Sequence, residues 1–206
     1  MALVIGTAAA TAQQDKNTGN KMLLIIDAQY DFINGSLAVT GADKKMDALA
    51  EWMNTLPQGE YKQIVMTSDF HPYNHSSFKD NGGLWPVHCV QYTHGAAIWQ
   101  PVADAAHRLQ VDAPVLIKGD NIAVDEYSIM KSPVNGPRLL MLLAENEIDE
   151  IDVCGLCGDF CVGNSIKDLV AAGFGKKIVV MKQFIGNIDD GTVLNGIIKD
   201  NNLKVY

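Results

Sequence analysis

From Met22 onward, short apolar runs alternate with longer amphipathic stretches. The runs Met22–Ile26 (MLLII), Gln63–Thr67 (QIVMT), Val115–Ile117 (VLI), Glu150–Cys154 (EIDVC), Lys177–Met181 (KIVVM) and Leu203–Tyr206 are predicted strands. A parallel strand covered on both faces is apolar on both faces, so it reads as a run rather than an alternation. Between them, Asp43–Leu56, Gly136–Asn146, Cys161–Ala172 and Asp190–Asn201 are predicted helices. Leu139, Leu142 and Leu143, and then Val162, Ile166, Leu169 and Val170, recur at three- and four-residue spacing, the period of one buried helix face. Gly173 follows where a left-handed cap would end the third helix. Strands alternating with helices in this way predict an α/β fold, a three-layer doubly wound parallel sheet of about six strands with helices on both faces.

One segment breaks the rhythm. Ser68–Pro114 shows neither period and holds His71, His75, His88 and His94 with Gly82-Gly83, Trp85-Pro86 and several aromatics. It is expected to be an irregular insertion, and a long one inside a compact domain is usually functional. Open parallel sheets place their sites beyond the carboxyl ends of the strands. Asp27, Asp69, Lys118 and the Gly155–Cys161 segment all fall at such ends, so residues distant in sequence should converge there.

Composition narrows the classes. The chain has 206 residues, 48% of them hydrophobic and 19% charged, enough to bury a core, which excludes disorder as the main state. Residues 21–206 are read as a single domain. The formal net charge of −8, without a basic run, argues against a nucleic-acid partner. No apolar run approaches the ~20 residues of a membrane-spanning helix, so no membrane partner is expected. Ala2–Ala12 is apolar and ends Ala10-Thr11-Ala12, like a secretory signal, yet it lacks the basic start of one. Residues 1–20 are therefore read as a disordered tail or a remnant signal segment. The expected location is the cytoplasm, or the periplasm if residues 1–12 are the remnant of an export signal.

Three constellations carry chemistry. Asp69 and His71 alternate on an extended chain and so share a side, with His75 and His88 close behind; they suit a divalent metal of the zinc, iron or manganese kind. The competing reading is a set of loop histidines bonded to backbone. His94 and His107 have no partner spacing and are read as structural or solvent-facing. Cys161 sits at a predicted helix start, where free N–H groups and the helix dipole favour a thiolate, so a lowered pKa and a nucleophilic role are expected. Cys154, inside a strand, is read as core. The competing reading makes all three cysteines of the 154–161 segment small buried hydrophobes, and for Cys154 that reading is the preferred one. Asp27 and Lys118 each follow an apolar run: beside a thiol, the aspartate can take its proton and the lysine can hold the charges. Alone, each would be an ordinary strand-end charge.

The motifs Ile26-Asp27-Ala28-Gln29-Tyr30-Asp31-Phe32, Asp69-Phe70-His71-Pro72, Trp85-Pro86-Val87-His88-Cys89, Lys118-Gly119 and Gly155–Val162 together resemble the nicotinamidase branch of the isochorismatase-like cysteine hydrolase superfamily, and the resemblance spans nearly everything from Met22 onward. It implies a catalytic triad of Asp27, Lys118 and Cys161 and one divalent ion, zinc first with iron or manganese as alternatives, on Asp69, His71 and His88. It leaves the role of His75 open between a direct ligand, a contact through water, a support behind the ligands and no contact with the ion. It implies a cis peptide at Leu156-Cys157, an oxyanion hole from the backbone N–H groups of Cys157 and Cys161, and substrate contacts from Phe32, Trp85 and Leu156. Isochorismatases proper lack this metal trio, so the resemblance implies hydrolysis of nicotinamide to nicotinate and ammonia through a thioester, in NAD salvage. A related amidase for another small heteroaromatic or carbamoyl amide is the first alternative. A non-catalytic metal or redox-sensing protein using Cys154, Cys157 and Cys161 is the second. Nicotinamide is the small-molecule partner expected, and the reading admits a homo-oligomer.

Overall fold

A computed structural model describes residues 19–110 and 112–206. The reading of residues 1–20 as tail or signal rests on positions outside that range. Six strands form one wholly parallel sheet: β1 (Lys21–Ile26), β2 (Gln63–Asp69), β3 (Val115–Lys118), β4 (Glu150–Gly155), β5 (Ile178–Ile185) and β6 (Lys204–Val205), in the order β3-β2-β1-β4-β5-β6. The order reverses between β1 and β4, which is the switch point where such sheets open a crevice.

The sheet is covered on both sides, as the apolar runs require. Leu23, Ile25, Ile64 and Met66 point to one face, where α2 (Ala42–Thr55) packs Met46, Leu49 and Met53 against them. Met22, Leu24, Ile26 and Val65 point to the other, under α4 (Asn135–Glu145), α5 (Cys161–Ala171) and α6 (Thr192–Asp200). A short α1 (Tyr30–Ile33) follows β1. Gly173 does close α5, with φ +92° and its N–H donated to the Val170 carbonyl.

The segment 68–114 is less irregular than expected. It contains α3 (Gln100–Leu109), which buries Val102, Ala105, Ala106 and Leu109. Those positions are spaced as i, i+3, i+4 and i+7, but two of the four are alanines, so the stripe is faint on a hydrophobicity scale while its small side chains let α3 lie close to α2. Strand β5 also runs four residues past its expected end, through the polar pair Lys182-Gln183 to Phe184 and Ile185.

At the amino-terminal end of the sheet, Asp152 of β4 is buried and accepts the Tyr61 hydroxyl at 2.5 Å. Burial lifts its carboxyl above the ordinary range, and the Tyr61 hydrogen bond works against that rise. Tyr61→Phe removes the opposing bond, so the carboxyl rises further and the folded state is penalised wherever Asp152 is ionised. The expected loss is about 1–3 kcal/mol at neutral pH, measured by urea unfolding. It should shrink as pH falls through the raised pKa, because the protonated form carries no buried charge; a loss independent of pH would contradict this account.

Candidate active site

Four strand ends supply the site. Asp27 follows β1 directly and takes a left-handed backbone, φ 48°, that turns the chain out of the sheet. Its carboxylate Oδ1 accepts the Thr67 hydroxyl at 2.6 Å, and its Oδ2 lies 2.9 Å from Lys118 Nζ. Asp69 ends β2, and its Oδ1 accepts a short hydrogen bond from the same ammonium. Lys118 ends β3, and its Nζ also lies 3.6 Å from Cys161 Sγ at the first position of α5. Lys118 and Asp27 are fully buried. A single ammonium thus holds two carboxylates and a thiol at the switch point, and it occupies the space among the oxygens of Asp27 and Asp69 and the Cys161 sulfur, which lie within 4.8 Å of one another.

Ligand atoms of Asp69, His71 and His88 likewise lie within 4.8 Å of one another, all three residues buried. His71 Nδ1 donates to the Gly119 carbonyl at 2.9 Å and His88 Nδ1 to the Pro86 carbonyl at 2.8 Å, which leaves both Nε2 lone pairs free. His71 Nε2 is buried without any hydrogen-bond partner, 3.6 Å from Asp69 Oδ2. Burial holds His88 below its usual pKa, in the neutral form a metal needs. At His71 the neighbouring Asp69 raises the pKa against the pull of burial, so there an ion would take the place of the Nε2 proton. Two imidazoles and a carboxylate, with backbone carbonyls holding each Nδ1, fit a divalent cation. With His71 deprotonated, two buried carboxylates against one buried lysine leave a net negative site that favours a cation. His75 does not aim at this position. Its Nδ1 accepts the Ser77 N–H and its Nε2 donates to the Val124 carbonyl, so both nitrogens are used, and its ring stacks on His71 with centroids 4.2 Å apart.

Cys161 stands at a helix N-terminus as expected, but the expected lowering of its pKa is reversed. Burial pushes the thiol well above its usual value, Lys118 opposes the rise, and Asp27 and Asp69 add to it. The dipole and one ammonium lose to desolvation and two nearby anions, so the thiol rests protonated. Burial also raises Asp27 in spite of Lys118, which makes it a stronger base than an exposed carboxylate. Burial would raise Asp69 too, but there Lys118 and His71 prevail and hold it well below the ordinary range. Lys118 is kept charged by the anions around it against the pull of burial.

Behind the thiol, the chain turns through Gly155, φ 113°, where a Cβ would collide with the Ile26 carbonyl, and then through a cis peptide at Leu156-Cys157. Among the described residues neither the Cys157 nor the Cys161 N–H donates to another backbone group, so both remain for an oxyanion. In front lies a cleft with about 340 Å³ of empty space, lined by Phe32, Trp85, His88, Asp69, Cys157 and Cys161. Leu37, Asp125, Tyr127, Phe160 and Ile188 complete it. The sequence singled out none of these last five as substrate contacts. Tyr127 accepts the Trp85 indole N–H at 2.9 Å, and Phe160 meets Trp85 edge to face at 4.9 Å, so both set the attitude of that indole. Leu156 is not in the cleft: its side chain is buried in the core beside Gly186. Cys154 is buried inside β4, and His94 and His107 are exposed away from the cluster.

The sequence profile of the Isochorismatase domain matches residues 21–183. A nicotinamidase/pyrazinamidase of Mycobacterium tuberculosis is 34% identical over 165 residues, covering 78% of this chain and 84% of that protein. Among solved structures, PnC1 of L. infantum in complex with nicotinate superposes with a TM-score of 0.79 at 30% identity, covering 92% of this chain and 93% of that one. The pyrazinamidase of Pyrococcus horikoshii in complex with zinc gives 0.77 at 27% identity, covering 91% and 98%.

Two outcomes follow from the geometry. His71→Ala should abolish the divalent metal retained by purified protein in elemental analysis, whereas His75→Ala should reduce it only in part; equal retention by His71→Ala and wild type would dismiss the site. Lys118→Met removes an ammonium that favours the thiolate, so iodoacetamide should alkylate Cys161 more slowly at neutral pH and its alkaline rise should move higher.

Proposed function

This chain belongs to the isochorismatase domain family, and we propose on that footing that it is a nicotinamidase, converting nicotinamide and water to nicotinate and ammonia in the salvage of NAD. The observation that carries the reading is the contact of Lys118 with Asp27, Asp69 and Cys161 at once, which places a thiol, a base and the metal-binding carboxylate at the head of one aromatic cleft.

Asp69, His71 and His88 would hold the ion, and zinc is the natural choice for two imidazoles, one carboxylate and open positions. When bound, it supplies a Lewis acid for the pyridine nitrogen of the substrate. The rest of the chemistry belongs to the protein. Phe32 and Trp85 wall the flat ring and direct the carboxamide to Cys161, so orientation supplies part of the acceleration. Asp27 takes the Cys161 proton as sulfur attacks the carboxamide carbon, and the N–H groups of Cys157 and Cys161 hold the oxyanion. Asp27 then gives the proton to the departing nitrogen, ammonia leaves, and a thioester remains. Water loses a proton to Asp27 and attacks the thioester; the sulfur leaves and recovers that proton, freeing nicotinate. Lys118 keeps Asp27 close to the thiol through both halves.

A thiol that rests protonated needs its base in contact at the moment of attack. Asp27→Asn should therefore depress turnover about as far as Cys161→Ala, by roughly 10³-fold or more, while both proteins remain folded by circular dichroism. The decisive assay measures ammonia from a panel of small amides. Nicotinamide should be hydrolysed with the highest kcat/KM, and a different heteroaromatic or carbamoyl amide in first place would replace the substrate assignment.

A further inference from the structure

The metal-binding histidine and the lysine of the triad meet at one residue without a side chain. Gly119 follows Lys118, and its carbonyl is the acceptor that fixes the His71 ring at 2.9 Å. Its backbone is left-handed, φ +67°, and a Cβ there would lie 2.5 Å from His71 Cε1, so only glycine fits under the imidazole. Glycine is also the residue that drifts most freely between backbone states. The peptide between Lys118 and Gly119 is tethered on both sides: the Lys118 carbonyl accepts the Phe70 N–H at 2.9 Å, and the Gly119 N–H donates to Glu126 Oε2 at 2.9 Å. Glu126 reaches this N–H from the far end of the Asp120–Asp125 loop and is itself 4% exposed. The Glu126 side-chain oxygen pairs a backbone N–H that would otherwise be left unsatisfied away from water.

We propose that Glu126 is a positioning residue for the metal site: by clamping the Gly119 N–H it aims the Gly119 carbonyl at His71 Nδ1, which presents the Nε2 lone pair to the ion. Among the described residues, the Glu126 carboxylate hydrogen-bonds to none of Asp69, His71, His88 and Cys161, and Glu126 does not line the cleft. Its effect passes through one residue, Gly119, at whose Cα the clamped peptide and the peptide that carries the carbonyl meet. Partners that orient a ligand through its second nitrogen typically change metal affinity by about 10–100-fold when removed. The proposal rests on the reading of Asp69, His71 and His88 as the metal site.

The test compares Glu126→Ala with Glu126→Gln, whose amide oxygen still accepts the N–H without the charge. Zinc affinity is measured by competition with a chelator on metal-free protein, and the solvent-protected Nδ1–H resonance of His71 is followed by NMR in the same metal-free protein. Glu126→Ala should bind zinc about 10–100-fold more weakly and lose the protected resonance, while Glu126→Gln should stay within about threefold of wild type and keep it. A folded Glu126→Ala protein with wild-type affinity and an intact resonance overturns the proposal. So does a Glu126→Gln protein as impaired as Glu126→Ala, because the effect would then be one of charge. If Glu126→Ala does not fold, Glu126→Asp replaces it: one methylene short of the N–H, it should lose both signals where Glu126→Gln keeps them. Should wild type bind no zinc, the metal reading fails, and the resonance alone still decides the role of Glu126.

Discussion

The site depends on one buried ammonium. Lys118 Nζ has no contact with solvent and is surrounded by Asp27, Asp69 and Cys161, each from the end of a different element. Remove it, and two carboxylates face each other in a region that excludes water, which in other proteins costs about 3–5 kcal/mol per broken buried pair. That cost enforces the geometry. Cys161, Asp27 and Asp69 cannot separate without leaving a charge unpaired, so the arrangement that the proposed reaction needs is also the one that folding favours.

Asp69 divides its two oxygens between the halves of the site. Oδ1 serves Lys118, and Oδ2 faces His71 Nε2 at the place an ion would take. Its backbone is fixed as well, since the Gln29 amide accepts the Asp69 N–H and donates to the Asp69 carbonyl, both at 2.8 Å. A shift of a bound ion would therefore be felt at the ammonium through one rigid carboxylate, and in the proposed reaction the substrate ring and the sulfur would be held to a common frame. On that reading the metal and the sulfur would share a residue rather than merely a cavity.

Much of this was legible in the chain before the fold. Apolar runs marked the strands because burial on both faces leaves little room for polar side chains, and strand ends marked Asp27, Asp69 and Lys118 because the parallel topology gathers those ends. Helix α3 escaped because alanine buries little area and so barely registers as a stripe. The link between Lys118 and Asp69 escaped for another reason: the two lie 49 positions apart, and a pairing across β2 and β3 has no trace in linear spacing. Tyr127 and Glu126 lay beyond the reach of pattern for the same reason, being defined by what they touch. The acidity of Cys161 was misjudged in sign because a helix terminus can be read from sequence, whereas the loss of water around a thiol cannot.

The strand order has a consequence for how the protein comes into being. Strands β1, β2 and β3 leave the ribosome first and pair with their neighbours in sequence, but the other edge of β1 has its partner in β4, with Lys21 opposite Glu150. Until β4 is synthesised, the central strand of the finished sheet is an open edge of Met22, Leu23, Leu24, Ile25 and Ile26, an invitation to pair with another chain. The strand that closes this edge is followed at once by Cys161. The edge of β1 thus stays open until just before Cys161 is synthesised, and the insertion of β4 that closes it is the same event that brings Cys161 beside Lys118.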